Sequence, residues 1–371
     1  MAHVTLRNIR IAACFIVILG LLWCLRSTRL GNPRTFPNAL PRSTASHYAL
    51  SNRNDLANPA HQKQVNALYQ SAPDDFFVGA NGVRIYYKIF AQPAGLERGA
   101  VVISSGRTES SELYKELIYD LYKQQYSVYI HDHRGQGFSE RLYLDDTQRG
   151  HVENFDYYVD LHLFIQGHVR PQTHSRLFVL AHSMGGGIAT RYIEKYDDGV
   201  RALALVTPMH GPLVNIAGLD VSDTFCSGSR TSLAATMLSA AEFGLGQHPW
   251  RPTPFQGNDL THSSERFSER NQVTNKLGGV THGWFRQACR GGKEARTEAN
   301  RIAIPVLILQ AGRDTAVSNR AQREFCDRMA EGKGRCVAYV LPDAYHAIFL
   351  EEDDLRTPAL TKILDFFAEN T

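Results

Sequence analysis

Ser183, Asp314 and His346 are the three residues of this 371-residue chain whose types and positions could do chemistry together. The serine lies in LFVLAHSMGGGIATRY, where an apolar run leads into a hydroxyl, three glycines and then a helical pattern. A serine on a strand-to-helix turn is lifted out of the sheet, and the helix N-terminus beneath it favours developing negative charge. Small neighbours are needed for so cramped a turn, and Ala181, Gly185 and Gly187 supply them. The usual pattern for an exposed nucleophile is GxSxG; here it reads AHSMG, with alanine in the first glycine's place. On its own Ser183 could instead simply cap a helix, the lesser of the two readings. Asp314 follows the run PVLILQ and His346 follows CVAYVL, so serine, acid and base each come just after a candidate strand. Asp343, three residues before His346, is a rival acid.

A serine hydroxyl is a poor nucleophile, so a histidine must take its proton and return it to the leaving alcohol, with a carboxylate holding the imidazole. The oxyanion that forms needs backbone donors. The amide of Met184, directly after the serine, is one candidate, and that of Arg107, in the loop SSGRTES after AVVISS, is the other. No cofactor or metal is required by this set. RGQGFSE lacks the third glycine of a dinucleotide fingerprint, GGKEART lacks the upstream glycine of a P-loop, and there is no HExxH. His151, His210 and His282 have no metal-ligand spacing and read as structural or cap residues. The turn DHRGQG, Asp132 to Gly137, reads as a structural loop under the site.

The elements that must position these residues are legible as short apolar runs, at Val83–Phe90, Ala100–Ser105, Tyr126–Asp132, Leu177–Ala181, Ala202–Thr207, Pro305–Gln310 and Cys336–Leu341. Most are too continuous to be one-sided, which predicts strands covered on both faces. Helical patterns fall between many of them, at Glu112–Tyr122, Asp156–His168, Gly185–Tyr196, Arg320–Met329 and Thr357–Glu369. This alternation predicts an α/β fold with a mostly parallel sheet. The order Ser, Asp, His, each at a strand's carboxyl end, is that of the α/β-hydrolase triad. More than ninety residues between Thr207 and Arg301 show no clear strand, only apolar clusters such as Leu233–Gly246 and a lone aromatic turn at Trp284 and Phe285. Residues 212–299 are therefore expected to form a helical cap that shapes an acyl pocket, with Leu238 within it.

The first 50 residues hold six arginines and no acidic residue, although the whole chain carries only +3. The rest is slightly acidic, and no basic face for nucleic acid is visible. Arg7 and Arg10 precede, and Arg26 follows, the uncharged run Ile11–Leu25. Its fifteen residues suit a signal-peptide core or a short membrane helix of an otherwise soluble chain. Because Leu22, Trp23, Cys24 and Leu25 offer no AxA-like cleavage site, an uncleaved anchor is the preferred expectation. The resulting division is an anchor or signal segment over 1–30, a Pro/Asn/Ser-rich linker over 31–73, and the globular domain over 74–371. Cys226, Cys289, Cys326 and Cys336 form no CxxC and read as buried thiols; only Cys326 and Cys336, ten residues apart, suggest a bridge.

SSGRTESSELY, DHRGQGFSERL, RGHVENFDYYVDL, LAHSMGGGIAT, TPMHG and YHAIF, with LTHSSER and GGVTHGW in the expected cap, resemble segments of the bacterial inner-membrane lysophospholipases. That family sits in the α/β-hydrolase group that also holds monoacylglycerol lipases, and the resemblance runs over about Asp74 to Thr371. It implies a serine carboxylester hydrolase acting on a lysophospholipid or other monoacyl lipid, with the membrane as its partner. A monoacylglycerol lipase or general esterase is the alternative, and an inert hydrolase-fold binding protein is the alternative of another kind. The resemblance does not extend to the amino-terminal segment, so location rests on the anchor alone: a bacterial inner membrane is expected, with the catalytic domain on the periplasmic face.

Overall fold

In the computed structural model the described residues are 35–371, except 94, 171, 173, 175, 197, 217–218, 232–238 and 245. The expected anchor over Ile11–Leu25 lies outside them, as does Leu238. Among the described residues no helix is long and apolar enough to cross a membrane.

Ten strands are present among the described residues: β1 (Asp75–Val78), β2 (Arg84–Phe90), β3 (Gly99–Ser104), β4 (Tyr126–His131), β5 (Leu177–His182), β6 (Val200–Val206), the two-residue strands β7 (Asn215–Ile216) and β8 (Leu219–Asp220), β9 (Pro305–Ala311) and β10 (Arg335–Leu341). Besides a four-residue turn of helix at Arg53–Leu56, the described residues form nine α-helices: α1 (Pro59–Ser71), α2 (Lys115–Lys123), α3 (Asp160–Phe164), α4 (Met184–Lys195), α5 (Ser222–Thr231), α6 (Ser264–Gln272), α7 (His282–Thr297), α8 (Asn319–Met329) and α9 (Asp353–Glu369). Eight strands form one sheet in the order β1-β2-β4-β3-β5-β6-β9-β10, and β7 pairs with β8 apart from it. The pairs β1–β2 and β2–β4 are antiparallel, and every other pair in the sheet is parallel.

Residues of β3, β4 and β5 are buried throughout. The reason is that alternate side chains enter two separate cores. On one face Val102, Val179, Leu203 and Ile308 meet Leu161 and Phe164 of α3, Ile188 of α4 and Phe325 of α8. On the other Val101, Ile103, Leu180 and Leu309 meet Leu117 and Ile118 of α2 and Leu360, Ile363 and Phe367 of α9. Each such side chain contributes about 1.5–3 kcal/mol when fully buried, which explains why these runs are continuously apolar.

Three expectations are corrected. Residues 35–73 do not behave as a linker: Leu40 N–H donates to Val340 O at 2.8 Å, Val340 N–H donates to Asn38 O at 2.8 Å, and Phe36 is buried. Further on, Ser51 N–H and Oγ–H bond Asp120, and Arg356 donates to Ser51 O. Composition misled because these contacts are to residues up to about 300 positions away rather than to a local periodic face. Trp284 and Phe285 sit not on an isolated turn but in the first turn of the 16-residue α7, whose N-cap Thr281 accepts from Trp284 N–H at 3.1 Å. Cys226 and Cys289 are not free thiols: they are bridged, tying α5 to α7 with their Cα atoms 5.3 Å apart. Cys326 and Cys336 are also bridged, from α8 to β10. The interval 212–299 holds the β7–β8 hairpin and helices α5, α6 and α7. It is fastened to the sheet domain by Arg266, which is buried and bonds Glu116 at 2.8 Å and Asp353 at 3.0 Å.

Candidate active site

Ser183 is the single residue between β5 and α4, at φ 52° and ψ −120°. A side chain other than glycine pays about 1–3 kcal/mol to sit there, so the neighbourhood must hold it. It does so through β6 and the residues after it: Ser183 N–H donates to Val206 O at 3.0 Å, and Ser183 O accepts from Met209 N–H at 2.8 Å. The three glycines that follow are a matter of space. A Cβ on Gly185 would lie 2.1 Å from Ser104 O, one on Gly186 2.6 Å from the Pro208 side chain, and one on Gly187 2.8 Å from Met209 O. Ala181 is paired with Ser104 and Leu205 and is buried, so the methyl that replaces the pattern's first glycine fits in the sheet.

His346 lies beyond β10, with Nε2 2.8 Å from Ser183 Oγ. Its Nδ1 is 2.8 Å and 3.0 Å from the two carboxylate oxygens of Asp314, beyond β9. Asp314 is itself fixed by the amides of Ala316 and Val317, at 2.8 and 3.0 Å from Oδ1. The rival Asp343 is about half exposed and lies 3.5 Å from Arg313 instead. The structure thus brings Ser183, His346 and Asp314 into one hydrogen-bonded line, and leaves Asp343 out of it.

The two expected backbone donors lie at the start of α4 and in the loop after β3. Met184 is the first residue of α4, so its N–H is among those that a helix N-terminus leaves unpaired. In the loop after β3, the Gly106 N–H is taken by Glu109, and Arg107 is the next amide along. The Arg107 guanidinium donates to Gly278 O at 3.0 Å and to Gly279 O at 2.6 Å, which ties this loop to the cap. Gln136 of the DHRGQG turn donates to Gly106 O and Glu109 O, both at 2.8 Å, so that turn braces the same loop from below. His151 bonds Thr281 and His210 bonds Thr190, both as structural contacts. His282 opens α7 and lies outside the line.

Sequence reasoning missed a second pair behind the nucleophile. His182 Nδ1 lies 3.0 Å from Glu109, and His182 Nε2 lies 3.3 Å from the backbone oxygen of His346. Burial alone would raise Glu109, yet His182, Tyr114 and the Gly106 amide bring its carboxyl down to about 2. Burial likewise opposes charge on His182, but the Glu109 carboxylate outweighs it and raises the imidazole above its ordinary value. The pair therefore links two loops: His182 contacts the backbone oxygen of His346, while Glu109 holds the loop carrying Arg107. The only local signal was a polar His directly before the nucleophile at the end of a buried strand. A separate cavity of about 430 Å³, lined by Arg170, His174, Arg176 and Arg201, lies by Leu177 and Val200 at the opposite, amino ends of β5 and β6.

A mostly parallel eight-stranded sheet with a serine on the strand-to-helix turn, an acid and a histidine at later strand ends defines an α/β-hydrolase. Residues 95–353 match the sequence family described as serine aminopeptidase, S33, and the chain belongs to that family, as a serine-hydrolase domain homologous to lysophospholipases and monoacylglycerol lipases. It is 37% identical over 286 residues to lysophospholipase L2 of Escherichia coli, covering 72% of this chain and 79% of that one. Among solved structures, a carboxyl esterase from Bacillus coagulans superposes with a TM-score of 0.64 at 18% identity, over 81% of this chain and 98% of the other. A monoglyceride lipase from Saccharomyces cerevisiae gives 0.63 at 17% identity, over 81% and 95%. At these identities the two structures speak for the fold alone.

Proposed function

We propose that this enzyme is a lysophospholipase, cleaving the remaining acyl ester of a single-chain phospholipid through an acyl-Ser183 intermediate. The observation that carries the reaction is the line Asp314–His346–Ser183, with both steps at 2.8 Å. In this reading Ser183 Oγ attacks the ester carbonyl while His346 Nε2 takes its proton and passes it to the leaving alcohol. Asp314 keeps Nδ1 protonated and stabilises the imidazolium. The amides of Met184 and Arg107 receive the oxyanion, and water activated by His346 then releases the fatty acid. The substrate class is supported by the 37% identity to a lysophospholipase. A monoacylglycerol lipase or general esterase shares every one of these steps.

Hydrolysis of lysophospholipid, monoacylglycerol and an aminoacyl anilide, with the acyl chain matched between the two lipids, separates the readings. Preference for lysophospholipid is expected. Preference for monoacylglycerol would favour the esterase alternative, and turnover of the anilide alone would overturn ester chemistry. A fluorophosphonate probe should label wild-type protein and not Ser183→Ala; failure to label the wild type would revive the inert binding protein.

We further propose that Ile11–Leu25 is an uncleaved anchor at a bacterial inner membrane, holding the domain on the periplasmic side. The pairing of all four cysteines of the domain supports an oxidising compartment. A tether would also raise the enzyme's effective concentration at a lipid surface. Carbonate extraction of membranes tests the anchor and protease accessibility in spheroplasts tests the face. Soluble protein beginning after residue 26 would refute the anchor.

A further inference from the structure

Four cations converge where the oxyanion loop meets the cap segment Arg270–Gly279. Arg107 is held by the carbonyls of Gly278 and Gly279, with its guanidinium 4.9 Å from the Trp284 ring centre. Arg141 donates to Gly135 O and Asn275 O. Lys276 donates to Arg270 O at 2.6 Å and sits 4.9 Å from the Trp250 ring centre. The Arg270 guanidinium reaches Thr108 Oγ1 at 3.5 Å, and Thr108 is the residue after Arg107.

None of the four forms an ion pair with a carboxylate among the described residues, whereas Arg134, Arg266 and Arg356 each do. The acids that face them are committed elsewhere. Glu109 serves His182, Tyr114 and the Gly106 amide. Glu112 accepts from Thr274 N–H and Oγ1–H and pairs with Lys115, and Asp132 accepts from the amides of Ser111 and Phe138. Burial lowers all four cations: Arg107 to about 10, Lys276 to about 8 with Arg270 adding to the shift, and Arg141 and Arg270 below the usual guanidinium range. Arg270 and Lys276 remain partly exposed, so they are open to a ligand. Desolvated like charges without a carboxylate paired to them are unfavourable unless an anion arrives. Because Arg270 reaches Thr108, the residue after Arg107, an anion held by these cations would lie beside the oxyanion loop.

We propose that Arg270 and Lys276, backed by Arg107 and Arg141 and with the Thr108 hydroxyl, form a subsite for the phosphodiester of a single-chain phospholipid substrate. This rests on the lysophospholipase reading and gives it a structural origin: the same acyl chemistry becomes selective for a phosphate-bearing leaving group. A guanidinium bond to a phosphate is among the stronger charge-assisted contacts.

The test compares kcat/KM for lysophospholipid and monoacylglycerol of one acyl chain in wild type, Arg270→Gln, Arg270→Lys and Lys276→Gln, with melting temperature and fluorophosphonate labelling as checks on the fold. Arg270→Gln is expected to lower the lysophospholipid-to-monoacylglycerol ratio by about 10- to 100-fold, and Arg270→Lys by less. In wild type the ratio should fall as pH rises through about 8, where Lys276 loses its proton, and Lys276→Gln should flatten that fall. Glycerophosphoethanolamine should compete with lysophospholipid better than inorganic phosphate does, which separates a lipid headgroup from a free phosphate. Equal losses on both substrates, an unchanged ratio in both glutamine variants, or competition by inorganic phosphate alone would overturn the subsite while leaving the lysophospholipase reading intact. Wild-type protein that cleaves monoacylglycerol but not lysophospholipid would overturn the functional reading and the subsite with it.

Discussion

Replacing Gly185 by alanine would put a methyl carbon 2.1 Å from Ser104 O and 2.4 Å from Ser105 O, where ordinary contact begins at 3.4 Å. Both obstacles are backbone atoms of β3 and its following loop, so no side-chain rotation relieves them. Either α4 or β3 must retreat by about 1 Å. Overpacking of that size costs about 3 kcal/mol, which for a domain of this length is a fall of about 4 °C in melting temperature. The functional cost is larger, because β3 leads into the Arg107 loop and α4 begins at Met184. A 1 Å misplacement of groups that must meet a reacting atom costs about 100-fold in kcat/KM. Thermal denaturation beside kcat/KM on a short-chain ester reads both effects. Gly167→Ala is the control, since nothing lies within 4 Å of a Cβ there, and it should leave kcat/KM alone while gaining about 0.5–1 kcal/mol. Gly185→Ala protein that melts with the wild type and keeps its turnover would refute the crowding argument.

Asp314→Asn should lower kcat by about 10⁴-fold and Asp343→Asn by less than about threefold, measured on one ester at one pH; the reverse order would make Asp343 the acid. His182→Gln or Glu109→Gln should each destabilise the protein by about 3–5 kcal/mol, while the double substitution should cost less than the sum of the two in urea unfolding. Strict additivity would mean that the two side chains do not act as a pair. Burial pushes His210 down to about 3 and His133 to about 4, so below about pH 6.5 the unfolded chain takes up protons that the folded one refuses. Stability should then fall by about 2 kcal/mol for each of them between pH 7 and pH 5, and a flat urea midpoint over that range would count against neutral burial.

What the sequence made legible was whatever repeats locally. Seven strands of the main sheet were visible as apolar runs, the central ones because both of their faces are buried, and Ser183, Asp314 and His346 were visible because each stands where such a run stops. The edge strand β1 was missed: it has only four residues, three of them exposed. Helix α1 was missed although Asn58 caps it, accepting from Ala60 N–H, and Pro59 occupies its first position; a start signal without a periodic face was not enough. In α7 the pattern was broken by glycines that close approach demands, Gly291 against the Phe155 ring and Gly292 against His210 O. Glycine usually argues against a helix, and here tertiary contact overrides that preference. The His182–Glu109 pair spans 73 residues and joins the end of β5 to the loop after β3, so no window of sequence could show it.

The strip of chain at Asn38–Leu40 lies along the outer side of β10, with a parallel bridge between Ala39 and Val340. Its partner is synthesised some 300 residues later, so the first described residues of the polypeptide must wait for nearly the last before they can dock. Until then β10 has an open row of amides and carbonyls, a surface on which other chains can add. Closing so long a loop is slow, although doubling its length adds only about 0.6 kcal/mol. Whenever this strip is undocked, the β10 edge of the sheet is therefore open to pairing with another chain.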